Sequence, residues 1–209
     1  MPALDHLLAF AAATFAFAIF PGPALLFTAA QTLARGRRVG LLAVLGIHAG
    51  CYVHVLLATL GITAVLAAVP ALYALLKFSG ACYLVWLGIQ FFLAGAEAGA
   101  AAPRAQASLR RIFADSFLVE IFNPKVALFF AAFLPQFADP AAVFPVWLQM
   151  LILGIVVNFS FTAADVATVF AAGFVQATAG RNKTVRRAIR AACGSLLIGL
   201  GVKLAFEKA

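Results

Sequence analysis

Charge is scarce in this chain. Of its 209 residues, 11% are Asp, Glu, Lys or Arg, while 65% are hydrophobic. A soluble domain carries about 25% charged and about 45–50% apolar residues. There is too little polar surface here to face water all round, so lipid must be the solvent for much of the protein. Acidic residues number seven. No paired carboxylates, Ser/His/Asp constellation or phosphate-binding loop presents itself at an interface, and the hydrophilic loops are too short for a soluble catalytic domain. A membrane enzyme is therefore a poor fit. Cysteine is as sparse: Cys51, Cys82 and Cys193 each lie within an apolar stretch, with no C-x-x-C pair. They read as small apolar helix residues, not as a thiol-transfer site. With three histidines and no His-rich loop, a metal set is hard to assemble. The N-terminus lacks a positive n-region, with Asp5 and His6 there instead. The first apolar stretch is thus not expected to be a cleaved signal peptide. The net charge of +8 leaves no compact basic face, so nucleic acid is not an expected partner.

What is present is apolar length. Six stretches run over Leu4–Leu33, Gly40–Val69, Ala71–Ala96, Ile112–Leu134, Ala141–Phe174 and Ile189–Phe206. A helix of about 20 apolar residues spans the hydrocarbon, and the longer stretches must tilt, break or protrude. No closed-barrel alternation is visible, so helices are the way to satisfy the backbone in lipid. The expected fold is an all-α membrane protein of about six spans in one domain. It comprises half one (1–95), a cytoplasmic linker (96–111) and half two (112–209).

Basic residues fall on alternating connections: Arg35, Arg37 and Arg38, then Arg104, Arg110 and Arg111, then Arg181, Lys183, Arg186, Arg187 and Arg190. The positive-inside rule puts those three connections in the cytoplasm. Six spans then leave both termini outside. A re-entrant first stretch would move the N-terminus inside.

The halves carry a faint repeat. At a shift of 102 residues, the segment Phe20–Ala30 lines up with Phe122–Ala132. Phe20/Phe122, Leu26/Leu128, Phe27/Phe129, Ala29/Ala131 and Ala30/Ala132 are identical. With three spans per half, the second copy enters from the opposite side, as in the inverted repeats of secondary transporters. In each copy proline interrupts the first span. Pro21-Gly22-Pro23 removes backbone donors and clashes with the preceding turn, leaving carbonyls near residues 17 to 20 in need of partners. Pro124, between Asn123 and Lys125, does the same in half two. One reading is a pair of simple kinks. The other is a substrate site built from Pro21, Gly22, Pro23, Asn123, Pro124 and Lys125, because broken half-helices offer N–H groups to a carboxylate and C=O groups to a cation.

Lys125 lies within the fourth stretch, where a buried ammonium is expensive and usually functional, unless it snorkels to an interface. Glu120, five residues earlier, reads as lying nearer the cytoplasmic end. In the second stretch, Gly46, Gly50, His54, Ala58 and Gly61 share one helical face, and small residues there let helices approach closely. Gly154, Asn158, Thr162 and Asp165 share a face of the fifth. A shift of 104 residues pairs the two sets, so their polar members are expected to converge near the centre. The structural alternatives are a helix-bridging hydrogen bond for His54 and an interfacial position for Asp165. Lys77, Gly80, Tyr83, Trp86 and Gly88 read as an interface anchor plus a packing face.

In combination, these pieces resemble the lysine exporter and homoserine/threonine resistance (LysE/RhtB) family of bacterial amino-acid exporters. The matching residues are Phe20-Pro21-Gly22-Pro23, the run of Gly36, Gly40, Gly46, Gly50, His54 and Gly61, Lys77–Gly88, Asn123-Pro124-Lys125, and Phe133-Leu134-Pro135-Gln136-Phe137. The resemblance implies export of amino acids or close derivatives across the bacterial inner membrane, driven by the proton gradient. An antiporter needs a group that titrates and feels the cargo. Asp165, Asn158 and His54 are the candidates for proton coupling, with Asp165 expected to meet Lys125 across the bundle. The expected partners are a small zwitterionic cargo, protons and lipid, and a homodimer is compatible with this reading. No cofactor or resident metal is expected. The rival function is a metal or toxic-cation exporter on a related six-span scaffold, using His48, His54 and Asp165.

Overall fold

The computed structural model describes residues 4–62, 68–96, 108–178 and 183–206, and the regular structure among them is helical. Its helices are α1 (Leu4–Ile19), α2 (Pro23–Arg35), α3 (Arg37–Thr59), α4 (Pro70–Ala96), α5 (Leu109–Ile121), α6 (Pro124–Leu128), α7 (Val146–Thr178) and α8 (Lys183–Phe206). Between α6 and α7 lie a π-helical turn, Phe129–Phe133, and a 3-10 turn, Leu134–Phe137.

Four helices, α3, α4, α7 and α8, are long and apolar enough to cross a membrane. Two bent pairs bring the number to six if each pair is one span: α1 with α2 at 45°, and α5 with Pro124–Phe137 at 43°. Both bends fall at the prolines, as helix physics requires. Pro23 opens α2 and Pro124 opens α6, in each case at the first turn, where a missing N–H is tolerated. The chain is a multi-pass membrane protein, and each half contributes one broken and two continuous helices.

The packing interleaves the halves. The third helices, α4 and α8, lie against each other, and so do the second helices, α3 and α7. The broken elements exchange: α5 packs on α3 of the other half, while α1 and α2 pack on α7. Glycine makes the close crossings. A Cβ on Gly88 of α4 would fall 2.7 Å from the Gly194 carbonyl oxygen of α8, and one on Gly201 would fall 2.7 Å from that of Ala81. On α3, a Cβ on Gly46 would lie 2.5 Å from the Phe113 carbonyl oxygen and one on Gly50 2.8 Å from that of Phe117. The small-residue faces of the second and third stretches are thus helix–helix seams.

Several boundaries differ from expectation. The second stretch was expected to carry Gly61 on the helical face of His54, but α3 ends at Thr59. Gly61 lies beyond it at φ +73°, where no Cβ contact is in reach. It is a left-handed helix-end glycine, and the pairing of Gly61 with Asp165 across the halves does not hold. The first basic connection is a single residue, Gly36 at φ +93°, whose N–H donates to the Thr32 carbonyl at 2.7 Å. Lys77 is buried, with its ammonium 5.1 Å from the Phe78 ring centroid. Residues 97–107 of the linker, with Arg104, and Arg181 of the third basic connection lie outside the described residues.

Candidate functional site

The two proline breaks open onto one cavity. Its walls come from α1 and the α1–α2 break (Phe17, Ala18, Gly22), the first turn of α2 (Ala24, Leu25) and α3 (Ile47, Cys51). The second half supplies Glu120 of α5, Asn123 and Lys125 at the second break, and Asn158, Thr162 and Asp165 of α7. Six polar side chains from one half thus face two half-helix ends from the other.

Lys125 reaches across from α6 to the end of α1. Its Nζ donates to the Phe17 carbonyl at 2.7 Å and to the Phe20 carbonyl at 2.6 Å. The Phe17 carbonyl is the one that the missing donor of Pro21 leaves open, and the Phe20 carbonyl lies in the break itself, so the ammonium replaces part of the lost helix ladder. The Phe17 and Phe20 rings lie 4.5 Å and 5.4 Å from the same Nζ, within cation–π range. Gly22 makes room for the lysine stem, since a Cβ there would fall 2.8 Å from Lys125 Cδ. Pro21 and Pro23 act by breaking the helix; of the Pro-Gly-Pro segment, Gly22 lines the cavity.

The second break is organised by Asn123. Its Oδ1 accepts from the Lys125 backbone N–H at 3.2 Å, capping the helix that Pro124 opens, and its Nδ2 donates to Glu120 Oε2 at 3.1 Å. Glu120 is 1% exposed and lines the cavity beside the break. The sequence placed it towards the cytoplasmic end and did not include it in the site. Two signals could have found it: an acidic residue three positions before a proline-broken Asn-Pro-Lys, and a glycine on the facing helix. A Cβ on Gly50 would fall 2.9 Å from Glu120 Cβ.

Asp165 is 4% exposed and shares the cavity with Lys125, but the expected ion pair is absent. Among the described residues no hydrogen bond or ion pair reaches the Asp165 carboxylate, because Lys125 is engaged with the α1 carbonyls. Asn158 is buried; its Nδ2 donates to the His48 carbonyl at 3.3 Å, and its Oδ1 has no partner. Thr162 donates to the Asn158 carbonyl and sits 2.6 Å from His48 Nδ1. With the hydroxyl proton committed, His48 supplies the donor of that contact through Nδ1–H. His54 stands apart from the cavity lining. It bridges helices instead, its Nε2 donating to the Glu120 carbonyl at 2.9 Å, with the Phe130 ring stacked 6.0 Å away. The structure therefore brings Asn158 and Asp165 into the site with Lys125 and Asn123, and leaves His54 behind its wall.

A cavity of this kind holds acceptors and donors of both signs of charge. The carboxyls of Glu120 and Asp165 and the free Asn158 Oδ1 suit a cation. The Lys125 ammonium and the unpaired N–H groups at the start of α2 suit an anion. Among the described residues no group of three His, Cys, Asp or Glu is placed to hold a metal ion.

The comparisons with known proteins agree with this architecture. The LysE type translocator family matches the chain over residues 15–208. An uncharacterised membrane protein of Pseudomonas aeruginosa is 33% identical over 193 residues, covering 90% of this chain and 88% of the relative. The leucine efflux protein of Salmonella typhimurium is 27% identical over 191 residues, covering 90% and 88%. The homoserine/homoserine lactone efflux protein of the same organism is 31% identical over 135 residues, covering 65% of each. No solved structure matches. A match from within α1 almost to the end of the chain, across both breaks and every cavity wall, makes this protein a member of the LysE type translocator family.

Proposed function

We propose that the protein is a secondary transporter that exports amino acids or close derivatives from the cytoplasm, by exchange with protons. The observation that carries this reading is one cavity at which two broken helices from opposite halves meet buried carboxyls and a partly buried ammonium. A zwitterion needs an acceptor set for its ammonium and a donor set for its carboxylate. Export across the inner membrane, with the basic connections in the cytoplasm, follows the family and the efflux proteins to which the chain is similar. Asp165 is the group we assign to the proton. It is a buried carboxyl on the cavity wall with no fixed partner, so its protonation can respond to the cargo.

The first experiment is a resistance panel. Cells overproducing the protein are challenged with amino acids, their toxic analogues, dipeptides and metal ions. Tolerance to an amino-acid analogue, with excretion of the matching amino acid, is the expected result. Tolerance confined to metal ions would overturn the reading.

A further inference from the structure

We propose that the cage around the Lys125 ammonium is the cargo's own ammonium subsite, held by Lys125 as an internal stand-in while the carrier is empty. The inference rests on the amino-acid reading above. The cage has the parts that bind a primary ammonium: two carbonyl oxygens, of Phe17 and Phe20, at 2.7 Å and 2.6 Å, and two aromatic faces at 4.5 Å and 5.4 Å. It lies at a helix C-terminus, where the backbone dipole favours a cation. The occupant comes from the other half of the molecule through a passage kept clear by Gly22.

The lysine head is an alkylammonium, the same group as the α-ammonium of an amino acid. A cargo molecule that enters with its ammonium in the cage must displace Lys125. The freed Lys125 Nζ then meets the cargo carboxylate in the same cavity. A zwitterion supplies both the displacing group and the new partner. An amine without a carboxylate offers the lysine no new partner and so leaves it in the cage, and an acid without an ammonium never enters it. Selectivity for zwitterions thus arises from competition with the protein's own side chain. In the empty carrier the lysine also keeps the two carbonyls satisfied, which would otherwise lack a partner in an apolar setting.

The test uses the full chain purified in detergent, with Lys125→Ala and Lys125→Met; the methionine side chain stops one atom short of the ammonium position. The probes are n-propylammonium for the first variant and ammonium for the second. Each should raise the melting temperature of its variant by a few degrees and leave the wild type unchanged, because there the seat is taken. Tetramethylammonium, with no N–H to offer the carbonyls, should give no shift. Should Lys125→Ala fail to fold, Lys125→Met carries the test alone. No shift with the folded variants, or an equal shift with the wild type, overturns the proposal. A second measurement uses leucine cut in two. Leucine without its carboxylate (3-methylbutylammonium) should bind Lys125→Met about tenfold more tightly than wild type, equivalent to about 1.4 kcal/mol. Leucine without its ammonium (4-methylpentanoate) should not gain. The opposite order overturns the cargo's place in the cage. Amine shifts with a negative amino-acid panel would refute the export reading, whereas a positive panel without amine shifts would refute the stand-in.

Discussion

Asn123 shows how much one side chain can hold in a protein short of polar groups. It caps the helix opened by Pro124 with its Oδ1 and fixes the Glu120 carboxyl with its Nδ2. Asn123→Ala removes both bonds and takes an amide donor away from a buried carboxyl. The expected cost is about 1–3 kcal/mol, read as a lower melting temperature in detergent. Asp165 has a separate role at this scale. Asp165→Asn keeps the volume and hydrogen-bonding capacity but cannot titrate. It should block gradient-driven efflux and flatten its pH dependence while sparing exchange of cargo for cargo. Full gradient-driven efflux by this variant, at normal expression, would remove Asp165 from proton coupling. His54, the third proton-coupling candidate, bonds a backbone carbonyl behind the cavity wall, apart from the residues that line the cavity.

At the scale of the element, the two breaks and the glycine seams do different work. Pro21 and Pro23 interrupt the first span by removing donors and imposing the 45° bend. With both replaced by Ala, the helix is expected to close across residues 17 to 23, using the Phe17 and Phe20 carbonyls itself. Insertion should be normal and export lost; retained export would make the break incidental. The α4–α8 crossing makes the opposite demand, for the smallest possible surface. Gly88→Val places a side chain against the Gly194 carbonyl oxygen, already 2.7 Å from an ideal Cβ. That contact is backbone on both sides, so the helices must separate. Overpacking of this sort costs about 1–3 kcal/mol, and the expected readout is reduced thermal stability, with the cavity chemistry unaffected.

For the whole molecule the expectation is an alternation of sides. The connections around Arg35 and Arg186 should face the cytoplasm, and residues near Asp139 should face outward. Single-cysteine labelling from outside intact cells should mark Asp139→Cys and leave Arg35→Cys and Arg186→Cys unmarked; the converse pattern would invert the orientation and, with it, the direction of transport. The halves meet through exchanged elements, so neither half encloses the cavity alone. Collapsing the proton gradient should stop efflux within minutes, whereas efflux that persisted unchanged would refute proton coupling and leave transport standing.

The sequence alone determined the solvent, the element type and the places where the elements break. Those are composition and local-backbone properties: 65% apolar residues exclude a water-facing fold, and a proline breaks its helix wherever it lies. The small-residue faces around Gly50 and Gly88 were legible for the same reason, because helical periodicity puts them on one side. The meeting of the breaks was legible only as a symmetry argument from a faint repeat. Tertiary structure alone decided which charge faces which. Lys125 was expected to find Asp165, yet it binds the Phe17 and Phe20 carbonyls, because an unsatisfied helix end within reach competes with any distant carboxylate. Glu120 was left out of the site because its spacing from Lys125 gives no intrahelical pair; its role comes from a bend that swings Asn123 back onto it and from a glycine on a helix some seventy positions earlier in the chain. Contacts of that range depend on how helices cross, and helical periodicity within one element carries no record of the crossing.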